Sequence, residues 1–224
     1  MTILIICIVI LSLFLYLGWH YHVADWGSFF INVIDGWIRL LARYYHRFIY
    51  EPIPVGTSGA KLLACNHLSG LDPFLMVAAC QRPIRFMIAK EEYQRFGLQW
   101  LFRAARCIPV DRSGRVEKAF KKTLSALHNG EVVALFPEGG IHRRENAPER
   151  LKPGIVKLAK LSGIAITPMM LSGIKAEGYT VLAVLVPGKC RLRVYPEIHC
   201  SETNNEDCLH RLRLVLQQDN GRKK

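Results

Sequence analysis

From Thr2 to Gly18 the chain is an apolar run, relieved only by Thr2 and Ser12. As a helix it would be about 26 Å long, slightly short of the ~30 Å hydrocarbon core of a bilayer. Trp19, Tyr21 and Trp26 follow at once, as aromatic residues do at a membrane interface. A cleaved signal peptide fits less well, because the N-terminus carries no basic residue and no small-x-small cleavage site follows. A spanning helix and a shallow helical hairpin both satisfy this run.

The segment from Ser28 to Tyr50 behaves differently. Phe30, Val33, Ile34, Trp37, Ile38, Leu41 and Phe48 recur at helical spacing, with Asn32, Asp35, Arg39, Arg43, His46 and Arg47 on the other side. This predicts an amphipathic helix whose arginines lie in the headgroup layer. The alternative is a helix packed on the soluble core. Residues 1–50 are thus read as a membrane anchor made of an apolar and an amphipathic helix. The net charge is +12, and the first Lys or Arg is Arg39, so the positive excess lies entirely behind the apolar end. Anionic membrane and nucleic acid both suit such a surface. No zinc-finger, recognition-helix or RNA-binding signature accompanies the charge, so an anionic membrane surface is the expected partner and nucleic acid is not. Basic residues flank the apolar run only on its C-terminal side, which puts the body on the cytoplasmic face of the membrane.

Residues 51–60, with Pro52, Pro54, Gly56 and Gly59, read as a linker. Residues 61–224 form the remaining domain; the 224-residue chain suffices for one substantial core and a small appendage. Strand-like segments are predicted at 61–65, 85–89, 107–110, 131–136, 165–171, 180–186 and 190–195. Helices are predicted at 73–80, 115–128, 154–161 and 206–217. The alternation implies an α/β fold: a mixed, largely parallel sheet flanked by helices, antiparallel late in the chain where strands follow one another directly. The seven cysteines are odd in number and contain no C-x-x-C pair. Reduced, mostly buried thiols are expected, and no His/Cys cluster has metal-ligand spacing.

In such sheets functional groups gather at the carboxyl ends of strands. His67 follows the first strand of the body, Arg112 the third and Glu138 the fourth. His67 and Asp72 lie in Asn66-His67-Leu68-Ser69-Gly70-Leu71-Asp72-Pro73. On a regular helix they would stand about 140° apart, so pairing them needs a turn, which Gly70 permits. Asp72 would then fix the tautomer of the ring and raise the basicity of its other nitrogen. No serine or cysteine is clearly placed as a nucleophile, which points to a base acting directly on a substrate hydroxyl, one belonging to a lipid given the apolar N-terminus. The competing reading is structural: Asp72-Pro73 is also a good helix start, and His67 an ordinary loop residue. Glu138 and Gly139 sit in Phe136-Pro137-Glu138-Gly139-Gly140, a substrate-approach turn or a solvated one. Lys90 and Arg112 are each either phosphate ligands or surface charges.

Taken together, these motifs resemble the glycerolipid acyltransferase family that includes 1-acylglycerol-3-phosphate (lysophosphatidate) acyltransferases. The His-x4-Asp motif is matched by His67 and Asp72. The run ending in Asp-Arg resembles Cys107 to Arg112, and Phe-Pro-Glu-Gly is intact at Phe136 to Gly139. The strand carrying a proline resembles Ile166-Thr167-Pro168-Met169, and Leu151-Lys152-Pro153-Gly154 resembles the family's Lys-x-Gly stretch. The resemblance implies that His67, oriented by Asp72, deprotonates a lysophospholipid hydroxyl that attacks an acyl-CoA or acyl carrier protein thioester, with no cofactor. It implies that Lys90 and Arg112 hold the acceptor phosphate, that Glu138 positions the acceptor, and that backbone donors near Pro168 serve the oxyanion. One position departs from the pattern: Ile141 stands where the family often has a phosphate-binding arginine. Arg143 or Arg144 would then reach the phosphate from a shifted loop, or the acceptor is another lysophospholipid. A noncatalytic lipid- or carrier-binding module and a His-Asp hydrolase are the other classes that the residues allow.

Overall fold

A computed structural model describes residues 1–114, 116–201 and 204–217. In chain order the elements are α1 (Thr2–Tyr21), α2 (Phe29–Leu40), a π-helical turn (Leu41–Tyr45), β1 (Ile49–Tyr50), β2 (Lys61–Cys65), α3 (Asp72–Ala79), β3 (Ile84–Ala89), α4 (Lys90–Tyr93), α5 (Gln99–Ala104), β4 (Ile108–Val110), α6 (Val116–His128), β5 (Val132–Leu135), α7 (Gly154–Ser162), β6 (Ile166–Ser172), α8 (Leu182–Leu185), β7 (Arg191–Val194) and α9 (Asn205–Leu216). The strands form a seven-stranded sheet in the order β1-β7-β6-β2-β5-β3-β4. Every pairing is parallel except β6 with β7, which is antiparallel. The α/β fold with a mixed, largely parallel sheet is therefore as expected.

β2 shows why the central strands are so apolar. Leu62 and Ala64 face one side of the sheet and Leu63 and Cys65 the other, and all four are fully buried. A strand covered on both faces reads as a continuous hydrophobic run instead of alternating. One face packs against α3 (Leu75, Met76, Ala79), and the other against α6, α7 and α9 through Ala126, Ile155, Leu158 and Leu212. Ile53 and Val55 of the proline-rich segment after β1 are buried in the first of these clusters.

Several local expectations are corrected. Residues 180–186 are not a strand: Leu182–Leu185 is a short helical turn, because this stretch bulges out between β6 and β7 and has no neighbouring strand to pair with. The amphipathic helix stops earlier than Tyr50, passing through the π-helical turn into β1. Its polar stripe also points the other way. Asn32 and Asp35 are buried, and Asp35 accepts from Arg39 Nε (2.7 Å), Val23 N–H (3.0 Å) and Trp26 Nε1 (3.1 Å). Arg39 in turn donates to the carbonyls of Ala78 (2.9 Å) and Cys80 (2.7 Å) at the end of α3. These are the free acceptors that a helix C-terminus offers a cation. His46 is likewise buried, with Nε2 3.2 Å from the Val184 carbonyl, and burial lowers its pKa. Of the named basic residues, Arg43 and Arg47 remain exposed. Finally, Cys65, Cys80 and Cys190 are buried free thiols as expected, but Cys200 and Cys208 are joined in a disulfide. Their Cα atoms lie 5.7 Å apart, a normal separation for such a bond.

α1 is apolar and exposed over nearly its whole length, and it is the one helix among the described residues long and apolar enough to cross a membrane. It is fixed to α2 by a glycine contact: a Cβ on Gly36 would overlap the Gly18 carbonyl, and one on Gly18 would lie 2.6 Å from Val33 Cγ1. Beside it Phe14 stacks on Trp37 with ring centroids 4.7 Å apart. Gly36→Leu is expected to separate α1 from α2 at a cost of about 1–3 kcal/mol. Loss of cross-linking between cysteines introduced at Phe14 and Trp37 would report this, and retained cross-linking would contradict the packing.

Candidate active site

The site lies at the carboxyl end of β2. Asn66, directly after the strand, locks this end onto β6: its Nδ2 donates to the Leu171 carbonyl (3.0 Å) and its Oδ1 accepts from Leu171 N–H (2.7 Å). His67 comes next. Its Nδ1 is 2.8 Å from Asp72 Oδ2, so the pair expected from spacing is formed. The same oxygen accepts from Leu68 N–H (2.7 Å) and Ser69 N–H (2.9 Å), while Oδ1 accepts from Ser69 Oγ (2.8 Å). Asp72 is fully buried, and these donors replace the water that a buried carboxylate loses. It also occupies the first turn of α3, where the helix dipole favours negative charge. The helix start and the contact with His67 therefore coexist in one residue.

Gly70 serves a different purpose from the one expected. It does not have a positive φ; instead a Cβ there would overlap the Thr180 carbonyl and come within 2.8 Å of Thr180 Cγ2. The stretch before α8 presses on the His67 loop through Gly178 N–H to the Leu68 carbonyl (2.8 Å) and Gly70 N–H to the Tyr179 carbonyl (3.3 Å).

Phe136, at the end of β5, stacks on the His67 ring with centroids 3.9 Å apart. This leaves the imidazole partly open, with 17% of its side chain exposed. Among the described residues nothing hydrogen-bonds Nε2, the nitrogen away from Asp72. Glu138 turns back from the Phe-Pro-Glu-Gly turn and accepts from His67 N–H at 2.5 Å. Gly139 has φ +83°, a conformation suited to glycine, and the turn closes through Gly139 N–H to the Phe136 carbonyl (3.0 Å). Burial lifts the Glu138 carboxyl to about 7; the bond from His67 N–H lowers it and the Asp72 charge raises it. His142 Nε2 lies 3.4 Å from Glu138 Oε1, too loose a contact to offset the desolvation.

The remaining expected residues are spread more widely. Lys90 starts α4 directly after β3 and is ion-paired with Asp111 (3.0 Å). The Ser113 hydroxyl, followed by Lys90, holds the Asp111 carboxyl well below the usual range. Arg112 is exposed in the turn after β4. At ~4.8 Å per strand, β3 and β4 lie about 10 and 14 Å from β2 across the sheet. The strands that carry Lys90 and Arg112 are therefore two and three places from β2, and these two residues are not brought together with His67. Arg144 turns inward, with its N–H on Glu177 Oε2 (3.0 Å) and its Nε 3.8 Å from Glu177 Oε1. Arg143 is exposed, 3.7 Å from Glu145. Pro168 lies within β6, and its carbonyl accepts from Tyr195 N–H (2.9 Å), so it belongs to the sheet and not to a free turn.

Three contributors were not singled out from the sequence. Ser69 completes the Asp72 shell. His142 reaches Glu138, and its N–H donates to the His67 carbonyl (3.1 Å). Asn66 holds the strand end. Ser69 lies inside the His-x4-Asp segment and Asn66 directly before it, and their polarity beside a buried strand was the available signal. His142 is brought in by a loop whose path the sequence does not specify.

The match to known proteins covers this site. The Acyltransferase family model matches residues 48–172. The 1-acyl-sn-glycerol-3-phosphate acyltransferase of Bacillus subtilis is 25% identical over 126 residues, which are 56% of this chain and 62% of that protein. A probable 1-acyl-sn-glycerol-3-phosphate acyltransferase of Mycoplasma genitalium is 29% identical over 119 residues, 50% of this chain and 44% of that protein. The chain thus spans between two fifths and two thirds of the length of these relatives. The crystal structure of the 1-acyl-sn-glycerophosphate acyltransferase PlsC from Thermotoga maritima superposes with a TM-score of 0.66 at 16% identity, covering 96% of this chain and 97% of that one; at this identity the likeness concerns the fold alone. With the family model extending over more than half of the chain, and His67, Asp72 and Glu138 converging inside the matched region, this chain belongs to the Acyltransferase family.

Proposed function

We propose that the chain transfers a fatty acyl group from an acyl thioester, on coenzyme A or acyl carrier protein, to the free hydroxyl of 1-acylglycerol-3-phosphate, giving phosphatidic acid at the cytoplasmic face of a membrane. The observation that carries this reading is the His67–Asp72 bond at 2.8 Å, with the other ring nitrogen unengaged at the end of a central strand. With Nδ1–H donating to Asp72, Nε2 carries the lone pair. Nε2 removes the hydroxyl proton as the glycerol oxygen attacks the thioester carbonyl. The resulting tetrahedral intermediate collapses by breaking the carbon–sulfur bond, and the imidazolium returns its proton to the departing thiolate. The charge on Asp72 stabilises the imidazolium in between. No acyl-enzyme and no cofactor is needed.

Glu138 fixes the backbone of His67 and, with Gly139, lines the approach of the acceptor. Lys90 and Arg112 lie on the side of the sheet from which a phosphate would be held, Lys90 being released from Asp111 in exchange. Arg143 and Arg144 are the cations next in sequence to the position where Ile141 replaces an arginine. Because Arg144 is already engaged with Glu177, a second reading is supported: an acceptor lysophospholipid whose headgroup is larger or less charged than a bare phosphate monoester. α1 and the basic excess support an anionic bilayer as the working surface.

His67→Ala is expected to lower acyl transfer by ~10²–10⁴-fold, followed as phosphatidate formed and thiol released from lysophosphatidate and an acyl thioester. Normal transfer in this variant would dismiss the dyad, and thiol release independent of acceptor would make the protein a hydrolase. Lys90→Ala and Arg112→Ala are expected to raise the acceptor KM and to blur discrimination across a panel of lysophospholipids. An unchanged KM in both would remove them from the phosphate site.

Glu138 makes stability depend on pH in a defined direction. Its folded value of about 7 exceeds its ordinary 4.5, so between those values the folded state holds the proton more tightly than the unfolded state. Stability therefore falls as pH rises from about 4.5 to about 7, by roughly 3 kcal/mol in total. Glu138→Gln is expected to flatten this slope in urea titrations across the window; an unaltered slope would assign it to another group.

A further inference from the structure

The excursion between β6 and β7, residues 173–189, presents an apolar surface that the fold does not use. Ala183 is buried and Val184 packs on the core, while Tyr179, Val181, Leu182 and Leu185 face outward with 46–62% of their surface exposed. A helical turn whose inner side is packed and whose outer side is leucine, valine and tyrosine is unusual on a protein surface facing water.

This excursion is tied at two places. On one side it grips the active-site loop through Gly178 N–H to the Leu68 carbonyl (2.8 Å) and the close approach of Thr180 to Gly70. On the other it is held by the turn that ends α2: Tyr45 Oη donates to the Leu185 carbonyl (2.5 Å), and His46 Nε2 lies 3.2 Å from the Val184 carbonyl. Tyr44, Tyr45 and Ile49 are themselves exposed. The apolar surface therefore continues from the α1–α2 pair, across Tyr44–Ile49, to α8 and up to the loop that carries His67. Arg43, Arg47, Lys175 and Lys189 stand exposed around it, none of them in an ion pair among the described residues. The acidic residue of the excursion, Glu177, is turned inward onto Arg144. An apolar centre with a basic rim matches the acyl and headgroup layers of an anionic leaflet.

We propose that α8 and its flanks form a second bilayer contact, separate from α1, which dips into the headgroup–acyl boundary beside His67. This rests on the reading that α1 is held in lipid, and adds that the excursion is held there too. An acceptor then needs only to raise its glycerol hydroxyl past Tyr179 and Gly70 to meet Nε2, its acyl chain remaining in the leaflet.

The test uses the full chain in vesicles of phosphatidylglycerol and phosphatidylcholine, with an environment-sensitive fluorophore on one of three positions. These are native Cys7 in α1, Leu185→Cys, and Leu161→Cys on α7 at the opposite face, the latter two with Cys7→Ser, and all with Cys107→Ser. The Leu185 contact with Tyr45 is through the backbone carbonyl, so the substitution leaves it in place. Phospholipids brominated near the headgroup end of their acyl chains are expected to quench Cys7 and Leu185→Cys several-fold more than Leu161→Cys. Quenching at Cys7 but not at Leu185→Cys would overturn the second contact and leave the membrane reading intact. No quenching at Cys7 would remove both. A blue shift at Leu185→Cys without quenching would mean cover by protein, and equal quenching at all three positions would mean that this face is not singled out; either result refutes the proposal.

Discussion

The Asp72 carboxylate gathers four donors within 2.9 Å: His67 Nδ1, Leu68 N–H, Ser69 N–H and Ser69 Oγ. A carboxylate with no solvent contact survives as an anion only when such donors replace its hydration. The requirement shapes everything near it. The chain after β2 must fold back tightly enough to aim two consecutive N–H groups at one oxygen, and this curl fixes the imidazole as its third donor. The start of α3 is pinned by the same contacts. Helix start and proposed base are thus one construction, and a change that disturbed the first would disturb the second.

The parallel sheet brings the other groups to the same edge for a simple geometric reason. Parallel strands expose all of their carboxyl ends on one side, so residues following β2, β5, β3 and β4 share that side whatever the intervening helices do. Glu138 reaches His67 because β5 is the immediate neighbour of β2. Lys90 and Arg112, one and two strands farther away, remain apart from it. The raised carboxyl of Glu138 follows from its place in this layout: it is enclosed between the His67 backbone and the His142 loop, near the charge of Asp72.

Much of this was legible in the residues. Doubly covered strands such as Leu62 to Cys65 are marked by unbroken apolar runs, and the His-x4-Asp spacing with a glycine inside allowed a paired histidine and carboxylate as well as a plain helix start. What could not be read was direction. The polar residues of α2 were visible as a stripe, but periodicity gives only that a stripe exists and not whether it faces lipid headgroups or a partner helix end. Arg39 faces inward because the C-terminal carbonyls of α3 are waiting for a cation, a fact set by tertiary placement. Residues 180–186 look like a strand because Val181, Val184 and Val186 favour one, but the stretch lies in the connection between β6 and β7, which pair directly with each other and leave no place between them. The necessity of Gly70 was legible, though for the wrong reason: the neighbour that forbids a side chain lies 110 positions away at Thr180.

The Arg39 clamp has one more implication. α3 carries Asp72 at its first turn and offers Ala78 and Cys80 to Arg39 at its last, and its eight residues measure about 12 Å end to end. The helix is therefore a strut of set length between the α1–α2 hairpin and the His67–Asp72 pair. A residue added to or removed from α3 would displace one of these ends by about 1.5 Å and turn it by about 100° relative to the other, so the spacing of the Arg39 clamp from Asp72 is gauged by the number of residues in the helix.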